Sequence, residues 1–325
     1  MKLRVAVVYG GRSGEHEVSI RSARAIMDGM DPEKYERIEY FIDQQGKWAP
    51  APISPEPGAH PEIDVVFPVL HGTFGEDGTV QGLLELAGLP YVGAGVLGSS
   101  VSMDKDMMKR VCMERLLPVV DYVTVTRETP DPVAACARLP FPMFVKPANL
   151  GSSVGISKAH NVEELKAALE FAAHYDRKLV VERGIQGREL ECAVLGNEEP
   201  LASLPCEILP SREFYDYDDK YLLDQAKTEL PAKLTPEKTD ELRRLAVECF
   251  RAVDCEGMGR VDFLLEGATD KLYINEINTI PGFTSISMYP KMWEQSGIGF
   301  STLIDRLIEL ALDRNKRKKA TRFTR

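Results

Sequence analysis

The sequence predicts an α/β protein with a parallel-sheet domain at its start and smaller mixed units after it. Three observations carry that expectation. The first hundred residues alternate β-prone runs with amphipathic helical stretches, the pattern of a parallel sheet covered by helices. After Gly95 strands and helices follow in a less regular order. At 325 residues the chain implies two or three compact units rather than one. A 44% apolar share supplies their cores and excludes disordered, collagen-like and disulfide-framework classes.

Leu3 to Tyr9 is a continuous β-prone run ending at Gly10-Gly11, and Glu15 to Met30 carries Val18, Ala23, Ile26 and Met30 at near-helical spacing. Arg37 to Ile42 reads as a second strand, the Pro-rich stretch from Pro50 to Pro61 as an irregular connection, Asp64 to Leu70 as a buried third strand and Thr79 to Ala87 as a helix. Such a sheet binds ligands at the carboxyl ends of its strands. Met103 to Leu116 then reads as a charged, Met-rich helix, followed by strands at Tyr122 to Val125 and Met143 to Pro147, a helix from Val162 to Ala173 and a strand from Leu179 to Glu182. A last unit begins near Gly187. It has strands around Leu190 to Val194, Ala202 to Ile208, Arg260 to Leu265 and Lys271 to Ile277, and helices from Pro236 to Val253 and Phe300 to Asp313.

The net charge of −10 conceals an asymmetry, because residues 314–325 hold seven Lys or Arg and no acid. A nucleic-acid partner would want a basic face on the folded body, and the body is acidic. The basic end is expected to be a frayed, solvated terminus. No apolar run approaches the roughly 18 residues of a membrane span, and no signal-like stretch follows Met1, so neither membrane insertion nor export is expected. The six cysteines are scattered, without CxxC or histidine at metal spacing, as for buried thiols in a reducing cytoplasm.

Four groups of residues could carry chemistry. Gly10 to Glu15 lies between a strand and a helix, where free N–H groups can take an anion, but it lacks the GxGxxG spacing of a nicotinamide fingerprint. Glu15 there is equally a favourable charge at a helix start. The loop Asn149 to Gly155, with Ser152 and Ser153 between two glycines, follows Lys146 on an apolar strand and reads as a phosphate-wrapping flap. Arg260-x-Asp262 and Glu276-x-Asn278 each put two side chains on one strand face. If their strands are hairpin neighbours, Asp262, Glu276 and Asn278 converge as hard oxygen ligands for Mg²⁺ with a nucleoside triphosphate. The turn from Thr279 to Ser285 offers backbone donors beside them. Phe214 to Tyr221 reads equally as a lid or a solvent-facing loop, and His71 closes a strand at the ligand-binding edge of the first sheet.

Taken in order, these segments match a family. Gly10-Gly11-x-Ser13-x-Glu15, His71-Gly72-x-x-Gly75-Glu76-Asp77-Gly78, Ser102-Met103-Asp104-Lys105 and Gly151-Ser152-Ser153-Val154-Gly155 come first. Tyr215-Asp216-Tyr217-x-x-Lys220-Tyr221, Gly259-Arg260-x-Asp262 and Asn275-Glu276-x-Asn278-Thr279-x-Pro281-Gly282 follow. Over residues 3–313 the chain resembles the D-alanine–D-alanine ligases of the ATP-grasp superfamily. The resemblance implies an ATP-grasp fold with a Rossmann-like substrate domain at 1–103, a central subdomain at 104–186 and a catalytic subdomain at 187–313, the tail 314–325 being disordered.

It further implies ATP as substrate, two Mg²⁺ or Mn²⁺ ions, a monovalent cation as a further activator, a cytoplasmic homodimer and a D-alanyl phosphate intermediate. Carried onto this sequence, Lys105, Lys146 and Lys220 would hold phosphates, with Ser152, Ser153 and Phe214 also at ATP. Glu182 (by its backbone) and Glu189 would take adenine and ribose, and Asp262, Glu276 and Asn278 the metal ions. Glu15 and His71 would meet the first D-alanine and Ser287 and Met288 the second. Arg260 and the Gly282 N–H would face the oxyanion, while Ser152, Tyr221 and Glu15 would link the lid across the cleft. Tyr221 stands where the related D-lactate-accepting ligases have histidine, which implies an amine acceptor; D-serine ligases can keep the tyrosine. A D-serine or D-lactate acceptor, and less favourably a non-catalytic ATP-binding module, are the competing readings.

Overall fold

The computed structural model describes residues 2–209, 227–284 and 286–322. Strand β1 (Leu3–Gly10) runs through the middle of the first sheet, in the order β3-β2-β1-β4, with β2 (Tyr35–Ile42), the two-residue β3 (Trp48–Ala49) and β4 (Val65–Val69). β1 pairs in parallel with β2 and β4. Its Val5 to Val8 and all of β4 are buried, as continuous apolar runs require of a sheet covered on both faces. β1 stops at Gly10 because the backbone turns there with φ +93°, and a Cβ would sit 2.1 Å from the Ile42 carbonyl oxygen. Helices α1 (His16–Gly29) and α2 (Thr79–Ala87) follow β1 and β4, and α3 (Val96–Met103) and α4 (Lys105–Glu114) lead out of the domain.

The second sheet is antiparallel, in the order β5-β8-β6-β7, built from β5 (Tyr122–Thr126), β6 (Met143–Pro147), β7 (Ser157–Ala159) and β8 (Lys178–Arg183). With α5 (Pro132–Ala135) and α6 (Val162–Ala172) it closes a core of its own around Val145, Leu165 and Val181. The third sheet follows β12-β11-β9-β13-β14, from β9 (Gly187–Gly196), β10 (Leu201–Ala202, paired to β9), β11 (Cys206–Leu209), β12 (Lys227–Glu229), β13 (Gly257–Glu266) and β14 (Leu272–Asn278). Helices α7 (Pro236–Ala252), α8 (Met288–Gln295) and α9 (Phe300–Lys319) complete it. One core runs from Val5, Ile26 and Phe67 of the first sheet to Leu195, Tyr289 and Leu307 of the third unit. The first and third units are thus joined through apolar packing, and the second stands on its own core.

Several elements differ from expectation. The stretch expected as one helix from Met103 begins a new helix at Lys105, because the Asp104 side chain caps it by accepting from the Met107 N–H at 3.1 Å. The strand expected over Ala202 to Ile208 is broken into β10 and β11 around Pro205, which has no N–H to donate. The basic end is a correction. α9 continues to Lys319, and its cations find partners: Arg314 donates to the carbonyls of Tyr91 (2.8 Å) and Gly93, Arg317 pairs with Glu256 at 3.0 Å, and Lys318 pairs with Glu85. All six cysteines are free and buried. Among the described residues no helix is long and apolar enough to cross a membrane.

Candidate active site

The three units meet at a cleft of roughly 1280 Å³, counting its open mouth, and different elements deliver its walls. β13 and β14 are hairpin neighbours in which Arg260 lies opposite Asn278 and Asp262 opposite Glu276. The Arg260 guanidinium grips both Asp262 oxygens at 2.7 Å, and Asn278 Nδ2 donates to Asp262 Oδ2 at 3.0 Å. Glu191, from β9 on the other side, lies 3.4 Å from Arg260 Nε. Burial opposes the charge on Arg260, but Asp262 and Glu191 outweigh it and hold the group protonated far above any working pH. The forked pairing fixes the guanidinium plane, which a lysine could not do.

Glu15 stands at the start of α1, and the hydroxyl of Ser152 in the serine loop donates to its Oε1. That contact closes the second unit onto the first. Ser152 and Ser153 both have left-handed backbone, at φ +53° and +60°, a strain characteristic of functional loops. His71 is buried, with Nδ1 at 2.9 Å from the Ile280 carbonyl and Nε2 at 3.0 Å from the Ser22 hydroxyl. The carbonyl can only accept, so Nδ1 carries the proton and the Ser22 hydroxyl donates to Nε2. Ser22 in turn accepts from the Phe283 N–H at 3.3 Å. Burial lowers the His71 pKa, which keeps the ring neutral.

Glu76 lies next to this network, its Oε1 accepting from the Gly72 N–H at 2.9 Å. Burial, reinforced by the charge of Glu15, pushes its carboxyl up to about 8. At the opposite end, the Glu182 carboxylate is held between Lys146 (2.7 Å) and Lys109 (2.9 Å), and Lys146 also donates to Asn275 Oδ1 at 3.1 Å. Burial by itself would raise Glu182, but the two ammonium groups bring it down to about 2. Lys105, at the first turn of α4, donates to the Leu150 carbonyl at 2.6 Å and lies 3.6 Å from Glu276. Ser287 precedes α8, its hydroxyl accepting from the Thr284 N–H at 3.0 Å, and Met288 opens the helix.

Of the residues singled out in the sequence, Glu15, His71, Ser152, Arg260, Glu276 and Asn278 line this one cleft, as do Gly282, Ser287 and Met288. Lys105 lines its inner end, and Asp262 lies beneath Arg260. Lys146 and Glu182 form the buried cluster, with the charge of Glu189 acting on Lys146. Phe214, Lys220 and Tyr221 lie outside the described residues. Sequence reasoning gave no role to Glu76, Glu191 or Lys109. Glu191 was within reach, since it shares a face of β9 with Glu189 at a spacing of two; the burial of Lys109 left no local trace. Among the described residues no three His, Cys, Asp or Glu gather at metal distance. Two carboxylates and the amide oxygen of Asn278 nevertheless form a hard-oxygen donor set of the kind a divalent cation takes.

A Rossmann-like sheet domain joined to two antiparallel units, with lysines at one end of the shared cleft and a fixed arginine at the other, is the architecture of an ATP-grasp ligase. The family models for the N-terminus and C-terminus of D-ala D-ala ligase match residues 4–94 (in two overlapping segments) and 111–309. The D-alanine–D-alanine ligase of Solibacter usitatus is 78% identical over all of both chains, and D-alanine–D-alanine ligase A of Escherichia coli K12 is 42% identical over 99% of each. Among solved structures, the D-alanine-D-alanine ligase from Coxiella burnetii superposes with a TM-score of 0.88 at 40% identity, covering 98% of this chain and 96% of the other. The VanG D-Ala:D-Ser ligase from Enterococcus faecalis superposes at 0.87 and 35%, covering 96% and 100%. The chain belongs to the D-alanine–D-alanine ligase family.

Proposed function

We infer that this protein joins two D-alanine molecules into D-alanyl-D-alanine for peptidoglycan synthesis, converting ATP to ADP and phosphate. The observation that carries the reading is the 78% identity over the full length to a D-alanine–D-alanine ligase. The clustering of Glu15, Arg260 and Glu276 on one cleft supports it. The ammonium of the first D-alanine pairs with Glu15 beside the neutral His71. Its carboxylate oxygen attacks the γ-phosphorus of ATP, giving D-alanyl phosphate and releasing ADP. The amine of the second D-alanine then attacks the acyl carbon, and after loss of its proton phosphate leaves.

The protein's part is positioning and charge neutralisation. Lys105, Lys146 and Lys220 hold phosphates, the N–H groups around Ser152 and Ser153 wrap them, and Glu182 (through its backbone), Glu189 and Phe214 hold the nucleoside. Arg260 and the Gly282 N–H face the oxyanion of the tetrahedral intermediate, where fixed donors contribute most. Ser287 and Met288, at the start of α8, take the carboxylate of the second D-alanine, a favourable place for an anion. The Glu15–Ser152 contact, extended by Tyr221, keeps water from the acyl phosphate. Asp262, Glu276 and Asn278 would hold two Mg²⁺ or Mn²⁺ ions, which when bound neutralise charge on the transferring phosphoryl group. A homodimer in the cytoplasm with a monovalent cation as activator completes the reading.

The likeness to the D-Ala:D-Ser ligase keeps D-serine as a second acceptor reading. Tyr221 argues against D-lactate, whose hydroxyl is the weaker nucleophile. Release of ADP from Mg-ATP that depends on D-alanine and is lost in Arg260→Ala tests the assignment. ADP release without D-alanine, or full activity in that variant, would overturn it.

A further inference from the structure

We propose that the first domain carries a second small-molecule site, separate from the catalytic cleft, for a flat apolar acid that lacks an ammonium group. The site is a cavity of roughly 380 Å³ at the carboxyl ends of β1, β2 and β4, where parallel sheets take ligands. Its floor is apolar, from Ile42, Leu70, Val80 and Leu83, and Trp48 forms a side wall. Arg12 and Phe74 form the rim, with the guanidinium 4.3 Å from the ring centre. Phe74 is 42% exposed, and its left-handed backbone (φ +69°) is held by its N–H donating to Asp77 at 2.9 Å and its carbonyl accepting from the Val80 N–H at 3.3 Å, which keeps the ring at the rim. Gly46 lets Arg12 lie flat there, since a Cβ at that position would come within 2.9 Å of Arg12 Cδ.

Charge sets the ligand class. In a chain of net charge −10, no Asp or Glu lines this cavity, and Arg12 pairs with no acid among the described residues. The catalytic cleft carries both signs, with Glu15, Glu191 and Glu276 in its walls beside Arg21, Arg260 and Lys291, so its carboxylates suit a ligand that carries an ammonium group as well as a carboxylate. An amino acid therefore favours the cleft, and an aromatic carboxylate the second cavity, its ring against Trp48 and its acid on Arg12. His71 is a wall common to both spaces, and Ser13 ties the two sides by donating to the His71 carbonyl at 2.6 Å.

The chain has two tryptophans, and only Trp48 touches the cavity; Trp293 is buried elsewhere at 2% exposure. Naphthoate titrated into the full-length protein, with D-alanine and a non-hydrolysable ATP analogue saturating, will shift the Trp48 indole N–H resonance saturably and leave that of Trp293 in place. Naphthylmethylammonium, the same ring with the opposite charge, will bind about tenfold or more weakly, and Arg12→Ala will weaken naphthoate about tenfold while ligation proceeds at the normal rate. The proposal is overturned by equal binding of the two probes, by the absence of a saturable Trp48 shift, or by displacement of naphthoate by D-alanine and nucleotide. A Trp48 shift on concentrating the protein alone would equally overturn it, because a second copy would then be the occupant.

Discussion

A buried carboxyl and a partly buried one, at opposite ends of the cleft, end up in opposite states. At the end beside Lys146 Glu182 is held at about 2, and at the end beside Glu15 Glu76 is held at about 8, against an ordinary value of 4.5 for both. Burial disfavours the charge in both places, so burial does not distinguish them. The neighbours do. Glu182 has Lys109 and Lys146 within 2.9 Å and 2.7 Å, while Glu76 faces the like charge of Glu15, which with burial outweighs the lowering effect of the backbone N–H bonds it accepts. One end of the cleft is a fixed ionic cluster that sets the position of Lys146, which in the proposed reading holds a phosphate. The other is a neutral, hydrogen-bonded lining beside Glu15, where, if Glu15 pairs with the D-alanine ammonium as proposed, a second fixed anion would compete with it.

The difference is broken most severely at Glu182. Glu182→Gln leaves Lys109 and Lys146 buried without a counter-charge, and should cost about 3–5 kcal/mol of stability, seen as a lower unfolding midpoint in denaturant. A loss under about 1 kcal/mol would mean the cluster is not held as described. Next in size is an effect on rate rather than stability. Asp262→Asn should slow ligation by about two to three orders of magnitude, the several kcal/mol of charge neutralisation being lost, and should lower the unfolding midpoint less than Glu182→Gln does, because Glu191 stays beside Arg260. Near-normal turnover would remove Asp262 from the phosphoryl site.

The pH dependence of stability separates the ends without a large perturbation. Glu182 has a depressed folded-state pKa, so its contribution is present above about 4.5 and is lost as pH falls towards 2. Glu76 has a raised one, so its contribution is present below about 4.5 and is lost as pH rises through about 8. Glu76→Gln, which keeps an acceptor for the Gly72 N–H, should change stability by under about 1 kcal/mol at neutral pH and flatten the alkaline limb alone. An unchanged alkaline limb would show that Glu76 is ionised in the folded protein. An effect on stability alone is expected far from both carboxyls. Arg314→Ala removes two carbonyl contacts and a cation–π contact 4.2 Å from the Tyr91 ring, and should lower stability by about 1–2 kcal/mol with ligation intact.

The elements legible in the sequence were those whose signal is local. β1 and β4 announce themselves by continuous β-prone runs, and Arg260-x-Asp262 with Glu276-x-Asn278 needs only a period of two and a hairpin to make a site. The proton on Glu76 was not legible, because it depends on segments around Glu15, Gly72 and Ile280 closing over one carboxyl. The same holds for Lys109 of α4, whose partner is 73 positions away in the sequence on β8. α3 was missed because Gly98, Ser99 and Ser100 are poor helix formers and tertiary contact supplies what propensity lacks. The helical reach of α9 was missed because a run of cations reads as solvated until Glu85, Glu198 and Glu256 are seen beside it.

The most direct test of the account is product identity under competition. The protein would be given Mg-ATP with equal D-alanine, D-serine and D-lactate, and the condensed products separated by mass. The account predicts D-alanyl-D-alanine as the dominant product, formed in step with ADP. A predominance of D-alanyl-D-serine or D-alanyl-D-lactate, or ADP formed without any condensed product, would contradict it.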